Sequence, residues 1–81
     1  MDAARFGRLF GAARDLARTH FVEDLSARDY AAHVCEALRR SEPIFAKADP
    51  VAMTRVLVRA IRAPKLPAPA LVLEELHAIT R

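Results

Sequence analysis

Few side chains in this sequence combine the residue types and the spacing that metal binding or catalysis requires. The histidines are His20, His33 and His77, and no two of them lie three or four residues apart. His33 and Cys35 are two residues apart, so on a helix their side chains point about 200° apart and cannot hold one ion. We therefore expect no metal site, and the same geometry argues against Cys35 as a nucleophile activated by His33.

Cys35 is the single cysteine of the chain, and we interpret it as a small buried hydrophobic residue. One cysteine cannot form an intrachain disulfide, which indicates a reducing compartment such as the cytoplasm. The two glycines form no phosphate-binding loop, and no Ser-His-Asp arrangement can be argued from the few candidates. We expect a protein that is not an enzyme, has no catalytic residues and uses no cofactor.

The sharpest functional feature is a row of arginines. Arg55, Arg59 and Arg62 recur at i, i+4 and i+7, and Lys65 continues the row. Guanidinium groups at this spacing can bind phosphates or carboxylates, and a merely solvated helix face is the alternative interpretation. A nucleic acid would be bound through its backbone with little sequence preference, because the chain has no Asn or Gln and no aromatic residues interleave with the row.

These side chains must be positioned by helices. Hydrophobic residues make up 53% of the 81 residues, and many alanines with only two glycines favour helices over hairpins. A chain of this length can close one hydrophobic core. We predict a single all-α domain, a small bundle of three to four short helices, in which residues 1–62 form the helical core, 63–69 a proline-rich strap and 70–81 a C-terminal helix.

The first helix is predicted to run from Asp2, as its N-cap, to about Thr19. Its apolar residues recur at three- and four-residue spacing, which predicts one buried stripe. The stripe consists of Phe6, Leu9, Phe10, Ala13, Leu16, Ala17 and Phe21. Arg8, Arg14 and Arg18 are expected on the opposite, solvated face.

Two further interpretations of this first helix stay open. Gly7 and Gly11 either let another helix approach closely or have no packing role. A basic amphipathic helix is also typical of a membrane-surface anchor or a transit peptide, although Asp2 and Asp15 interrupt the basic face here. The chain holds no stretch of 18 uncharged apolar residues, so we expect no membrane-spanning segment.

The second helix is predicted to begin at Ser26. That side chain can accept a hydrogen bond from the amide three residues on, with Asp29 as its capping-box partner. Leu25 and Tyr30 occupy the positions of a hydrophobic staple. The helix is predicted to end at about Arg40, where a basic pair offsets the negative end of the helix dipole.

A third helix is predicted to start at Asp49-Pro50, an N-cap followed by proline at the first helical position. Its inward residues are expected to be Met53, Val56, Leu57, Ala60 and Ile61. Before it, Ile44 and Phe45 are expected to plug the core from a loop.

The C-terminal helix follows three prolines in the strap. Glu74 and Glu75 are expected to complement the helix dipole near its start. The apolar residues expected to mediate self-association are Leu71, Leu73, Leu76 and Ile79. The strap is long enough to place this helix either on its own chain or on a second copy of the protein.

In the middle of the chain, a helix ending in a basic pair leads through Pro43 and an apolar loop to a capping Asp and a second apolar helix. In segments 25–30, 37–40 and 48–50 this order resembles the N-terminal helical part of RecT-type single-strand annealing proteins. The similarity covers about half of the chain. Where the family has Leu-Gly-Leu-x-Pro, this chain has Ala63-Pro64-Lys65-Leu66-Pro67, and it lacks the family's DNA-binding core. The resemblance implies an oligomerising helical piece without annealing activity.

Two functions follow as expectations. The first is a helical protein-interaction module, a homodimer and a small regulator or inhibitor of the phage or mobile-element type, that acts by binding a protein surface. The second is a nucleic-acid-binding accessory protein of recombination or replication. The net charge of +3 is compatible with both.

Overall fold

The computed structural model describes residues 2–19 and 23–80, apart from the side chains of residues 18–19 and 23–26. Within these ranges the chain is helical and contains no strand, which confirms the predicted all-α class. The helices in chain order are α1 (Ala3–Thr19), α2 (Glu23–Ser41), α3 (Pro43–Ala46), α4 (Pro50–Arg62) and α5 (Pro69–Ala78).

Two aspartates cap helices as the sequence predicts. The Asp2 carboxylate accepts a hydrogen bond from the backbone N–H of Arg5 at 2.8 Å, at the start of α1. The Asp49 carboxylate accepts one from the backbone N–H of Val51 at 3.0 Å, at the start of α4. Each bond satisfies a helix-end donor that would otherwise lack an intrahelical partner.

The starts of two other helices differ from the prediction. α2 begins at Glu23, so Ser26 lies inside the helix and is not its N-cap. Acidic residue types are favoured in a first helical turn, and Glu23-Asp24 supplies them. α5 begins at Pro69, so the non-helical strap covers residues 63–68, with bends at 64 and 65. Proline is tolerated at the first helical position because the N–H that it lacks would be unsatisfied there anyway.

α2 packs against both α1 and α4, α5 covers α1 and α4, and the short α3 lies against α2. The Cα radius of gyration is 11.5 Å, close to the ~12 Å expected of a compact chain of this length. The largest fully buried side chains are Phe6, Phe10, Val34, Leu38, Phe45, Met53, Leu57 and Leu76. The rings of Phe6 and Phe10 stack at 5.6 Å between centroids. Helix α5 packs on its own chain, because it contacts α1 and α4 and its Leu76 is fully buried in this core.

The buried stripe of α1 differs from the prediction at two positions. Arg14 is only 7% exposed, whereas Leu16 is 45% exposed. Arg14 lies four residues after Phe10 and three before Ala17, both of which are buried, so helical geometry places its stem in the stripe. Its Nη2 donates to the backbone carbonyl of Ala63 at 2.9 Å, immediately after α4. Phe21, the last predicted member of the stripe, and His20 lie outside the described residues.

The sequence predicts that Ile44 and Phe45 both fill the core from a loop between α2 and α4, and this is correct for Phe45 only. Phe45 is fully buried, but Ile44 is 49% exposed, because both belong to the short helix α3 and adjacent residues of a helix point in different directions.

None of the described helices is both long enough and apolar enough to cross a bilayer. Phe6, which a membrane-surface helix would turn outward, is fully buried against its own chain.

The two glycines of α1 differ in their surroundings. A Cβ on Gly7 would lie 3.1 Å from Cγ of Pro69, whereas a Cβ on Gly11 would meet no atom within 4 Å. We expect Gly11→Ala to raise the free energy of unfolding by about 1 kcal/mol through helix propensity. Gly7→Ala should raise it less, because Pro69 must shift. Chemical denaturation of both variants measures the difference, and equal gains would contradict the close contact between α1 and α5.

Candidate functional site

The arginine row lies on the solvent-facing side of α4. Met53, Val56, Leu57 and Ile61 are buried in the core, and this leaves Arg55, Arg59 and Arg62 exposed on the other side. The Asp49 cap and Pro50 fix where the helix starts and hence the direction of each of these side chains. The prediction that the three arginines share an accessible face is confirmed.

An open groove of about 750 Å³ runs along this face. Its described charged side chains are four arginines, Arg28 of α2 and Arg55, Arg59 and Arg62 of α4. The rest of its described lining is Thr54 and the apolar residues Pro50, Val51, Val58 and Ala63. We call this surface the arginine groove. It combines cationic groups with apolar surface, since Val51 alone is 56% exposed.

The charge of the arginine groove is only partly neutralised. The Arg59 Nη2 donates to the Glu75 carboxylate of α5 at 2.5 Å, an ion pair whose two side chains are 70% and 48% exposed. Such an exposed pair contributes little stability, because water screens both charges. Among the described side chains, Arg55 has no hydrogen-bond or ion-pair partner, and no acidic side chain lines the groove. The groove therefore favours an anionic ligand.

Two residues change the composition of the predicted arginine site. Lys65 is exposed in the strap and does not line the groove, so it does not continue the arginine row. Arg28 does line the groove, although no local pattern in the sequence predicts its place there. It lies on α2, and only the packing of α2 against α4 brings it beside the row.

The residues predicted to mediate self-association do not form one surface. Leu73 and Leu76 are buried in the core of their own chain, and only Leu71 and Ile79 are exposed. Leu71 and Leu73 are two residues apart and so point about 200° apart on a helix. The prediction that these four residues form one self-association surface is therefore wrong for Leu73 and Leu76, whose side chains are buried.

The acidic pair of α5 also has a different position from the one predicted. α5 has no acidic residue in its first turn, because it starts at Pro69. Glu74 and Glu75 lie in the middle of the helix and cannot complement the positive end of its dipole. Glu75 instead pairs with Arg59, while Glu74 is exposed beside it.

The residues that could bind metal or act as nucleophiles are dispersed in the described part of the chain. No three His, Cys, Asp or Glu side chains within residues 2–19 and 23–80 come together as a metal site would require. Cys35 is buried and His33 is exposed, so the two point apart as predicted. His77 contacts the ring of Phe45, with 5.0 Å between centroids, so a side chain of α5 touches one of α3.

Cys35 should react slowly with thiol reagents. Burial raises the pKa of its thiol above the ordinary value, outweighing the opposing effects of a hydrogen bond to Thr54 and of the Arg39 charge. At pH 8 we expect alkylation at least about 100-fold slower in the native protein than in denaturant, since the neutral, buried thiol is a poor nucleophile. Mass spectrometry after timed iodoacetamide treatment measures both rates. Comparable rates would mean that this part of α2 is open.

No family model, curated protein sequence or solved structure matches the chain. The resemblance to RecT-type annealing proteins therefore stays a prediction from segments 25–30, 37–40 and 48–50.

Proposed function

We propose that the protein is a non-enzymatic interaction module that binds an acidic, amphipathic segment of a protein in the arginine groove. The observation that carries this proposal is the presence of four arginines and an apolar floor in one accessible surface. A module of this kind acts by occupying a protein surface, which is how a small regulator or inhibitor works.

A helix is the form of ligand that fits the spacing best. From Arg55 to Arg62 the row extends about 10 Å along the axis of α4. A helix lying along the groove would present carboxylates three or four residues apart at this same pitch. Leucine-like side chains of its other edge would then cover Val51 and Val58. Arginine suits such contacts because its planar guanidinium can bind a carboxylate through two hydrogen bonds.

A nucleic-acid backbone is the alternative ligand, since the four arginines would attract phosphates as well. It would leave the apolar floor of the groove without a matching surface, because phosphates and sugars offer few apolar groups. A protein segment with both acidic and apolar side chains satisfies both parts of the lining. The mixed lining therefore favours a protein ligand.

The proposal is tested with a synthetic amphipathic peptide that carries Glu and Leu at helical spacing. By isothermal titration calorimetry it should bind the wild-type protein, and Arg55→Glu should weaken that binding about tenfold or more, equivalent to about 1.4 kcal/mol. Affinity should fall as the salt concentration rises from about 50 to about 300 mM, because screening weakens exposed charge pairs.

Arg8→Glu is the matched control for Arg55→Glu. It makes the same charge change at an exposed position of α1 outside the groove, so it should alter the affinity far less. A scrambled peptide of identical composition should bind weakly. If Arg55→Glu and Arg8→Glu lost the same affinity for the peptide, binding would depend on the net charge of the protein and not on the groove. Single- or double-stranded DNA that binds more tightly than the peptide, and loses that binding with Arg55→Glu, would favour the alternative ligand.

A further inference from the structure

The outer face of α5 has the chemistry that the arginine groove would select. Val72, Leu73 and Leu76 point into the core, which leaves Leu71, Glu74, Glu75 and Ala78 exposed on the opposite side. These four positions follow i, i+3, i+4 and i+7 and therefore share one helix face. Leu71 is 65% exposed, more than any other large hydrophobic residue in the described ranges.

Charge and shape are complementary between this face and the groove. Among the described residues, Glu74 has no ion-pair or hydrogen-bond partner, and neither has Arg55. Glu75 is already paired with Arg59 within its own chain. An α5 helix laid in a groove could place Leu71 on the exposed apolar surface of Val51 and direct Glu74 to Arg55.

We propose, resting on the function proposed above, that the occupant of the arginine groove is α5 of a second copy of this chain. The same chain carries the acidic, amphipathic helix and the groove that fits it. Glu74 then pairs with Arg55 of the other copy, and the apolar side chain of Leu71 is removed from water.

The arrangement of the helices allows both contacts to form at once. α5 packs beside α4, and the Arg59–Glu75 pair joins them at the surface. The groove and the outer face of α5 are therefore neighbours on one side of the molecule. Two copies related by a two-fold axis can each place α5 in the groove of the other, which gives a closed homodimer. This differs from an exchange of helices, because each α5 keeps Leu73 and Leu76 in its own core.

Analytical ultracentrifugation of the full chain and of charge-reversed variants tests this dimer. Arg55→Glu alone and Glu74→Arg alone should each weaken dimerisation about tenfold or more. The two variants mixed in equal amounts should form a heterodimer, because the reversed charges face each other in one contact and the native charges in the other. Arg8→Glu and Glu36→Arg are exposed controls outside both surfaces and should dimerise like the wild type.

The outcomes separate this proposal from the more general one. A wild-type chain that stays monomeric at about 1 mM, the weak end of useful affinities, overturns the dimer. So does a dimer that neither single reversal weakens, or a mixture that fails to associate while circular dichroism shows both variants folded. If the acidic peptide binds but the chain is monomeric, the groove function stands and its occupant belongs to another protein. If neither peptide binding nor a dimer is found, both proposals fail.

Discussion

Leu76→Ala should lower the free energy of unfolding by about 3 kcal/mol, whereas Leu71→Ala should change it by less than about 0.5 kcal/mol. Leu76 is fully buried and Leu71 is 65% exposed, although both lie on α5. Removing a buried leucine side chain loses its transfer free energy and leaves a cavity. A domain of this size has a total stability of roughly 4–12 kcal/mol, so the loss would be a large fraction of it.

Urea denaturation followed by circular dichroism at low protein concentration provides the measurement for the two leucines. The low concentration keeps the chain monomeric, so any effect of Leu71 on dimerisation does not enter the result. A large loss for both variants would mean that both faces of α5 are buried, and a large loss for Leu71→Ala alone would mean that α5 packs with its other face inward. Either result would contradict the burial of Val72, Leu73 and Leu76 as the one inner face of α5.

Arg14→Ala should lower the free energy of unfolding by about 2–4 kcal/mol. The Arg14 stem is buried in the stripe of α1, and its guanidinium donates to the Ala63 carbonyl where α4 ends. The substitution removes the packing of the stem and leaves that carbonyl without this donor. It should also loosen the junction between α4 and the strap, which forms one end of the arginine groove.

Two companion variants separate packing from hydrogen bonding at Arg14. Arg14→Met keeps most of the stem and should cost only about 1 kcal/mol, because it also relieves the burial of a charge whose Nε lacks a hydrogen-bond partner. Arg8→Ala, at an exposed position of the same helix, should have an effect below about 0.5 kcal/mol. Denaturation curves of all three variants give the ranking. Equal costs for Arg14→Ala and Arg8→Ala would contradict the burial of Arg14.

The class of the fold and most of its elements could be predicted from the sequence because they depend on local rules. Asp49-Pro50 predicts the start of α4, and the spacing of Met53, Leu57 and Ile61 predicts which side of it is buried; the structure confirms both. The same spacing rule applies at Arg14, but the prediction places this residue on the solvated face because it is an arginine. Arg14 lies four residues after the buried Phe10, which indicates that Arg14 is buried too, and the structure agrees with this spacing.

The arginine groove could be predicted only in part. The row on α4 is a property of one helix and is visible in its periodicity. Arg28 joins it through the packing of α2 against α4, which no local pattern specifies. The prediction for α5 differs from the structure for another reason. It groups leucines by residue type, although Leu71 and Leu73 cannot share a helix face.

Nuclear magnetic resonance shows where on the protein the peptide binds. The acidic amphipathic peptide is titrated into the ¹⁵N-labelled protein, and the backbone amide shifts are followed to saturation. We predict that the largest shifts cluster at Arg28, Val51, Thr54, Arg55 and Val58, and that Arg55→Glu raises the peptide concentration needed to produce them about tenfold or more. Saturable shifts centred on another surface, such as the exposed side of α1, or no saturable shifts at all would contradict binding in the arginine groove.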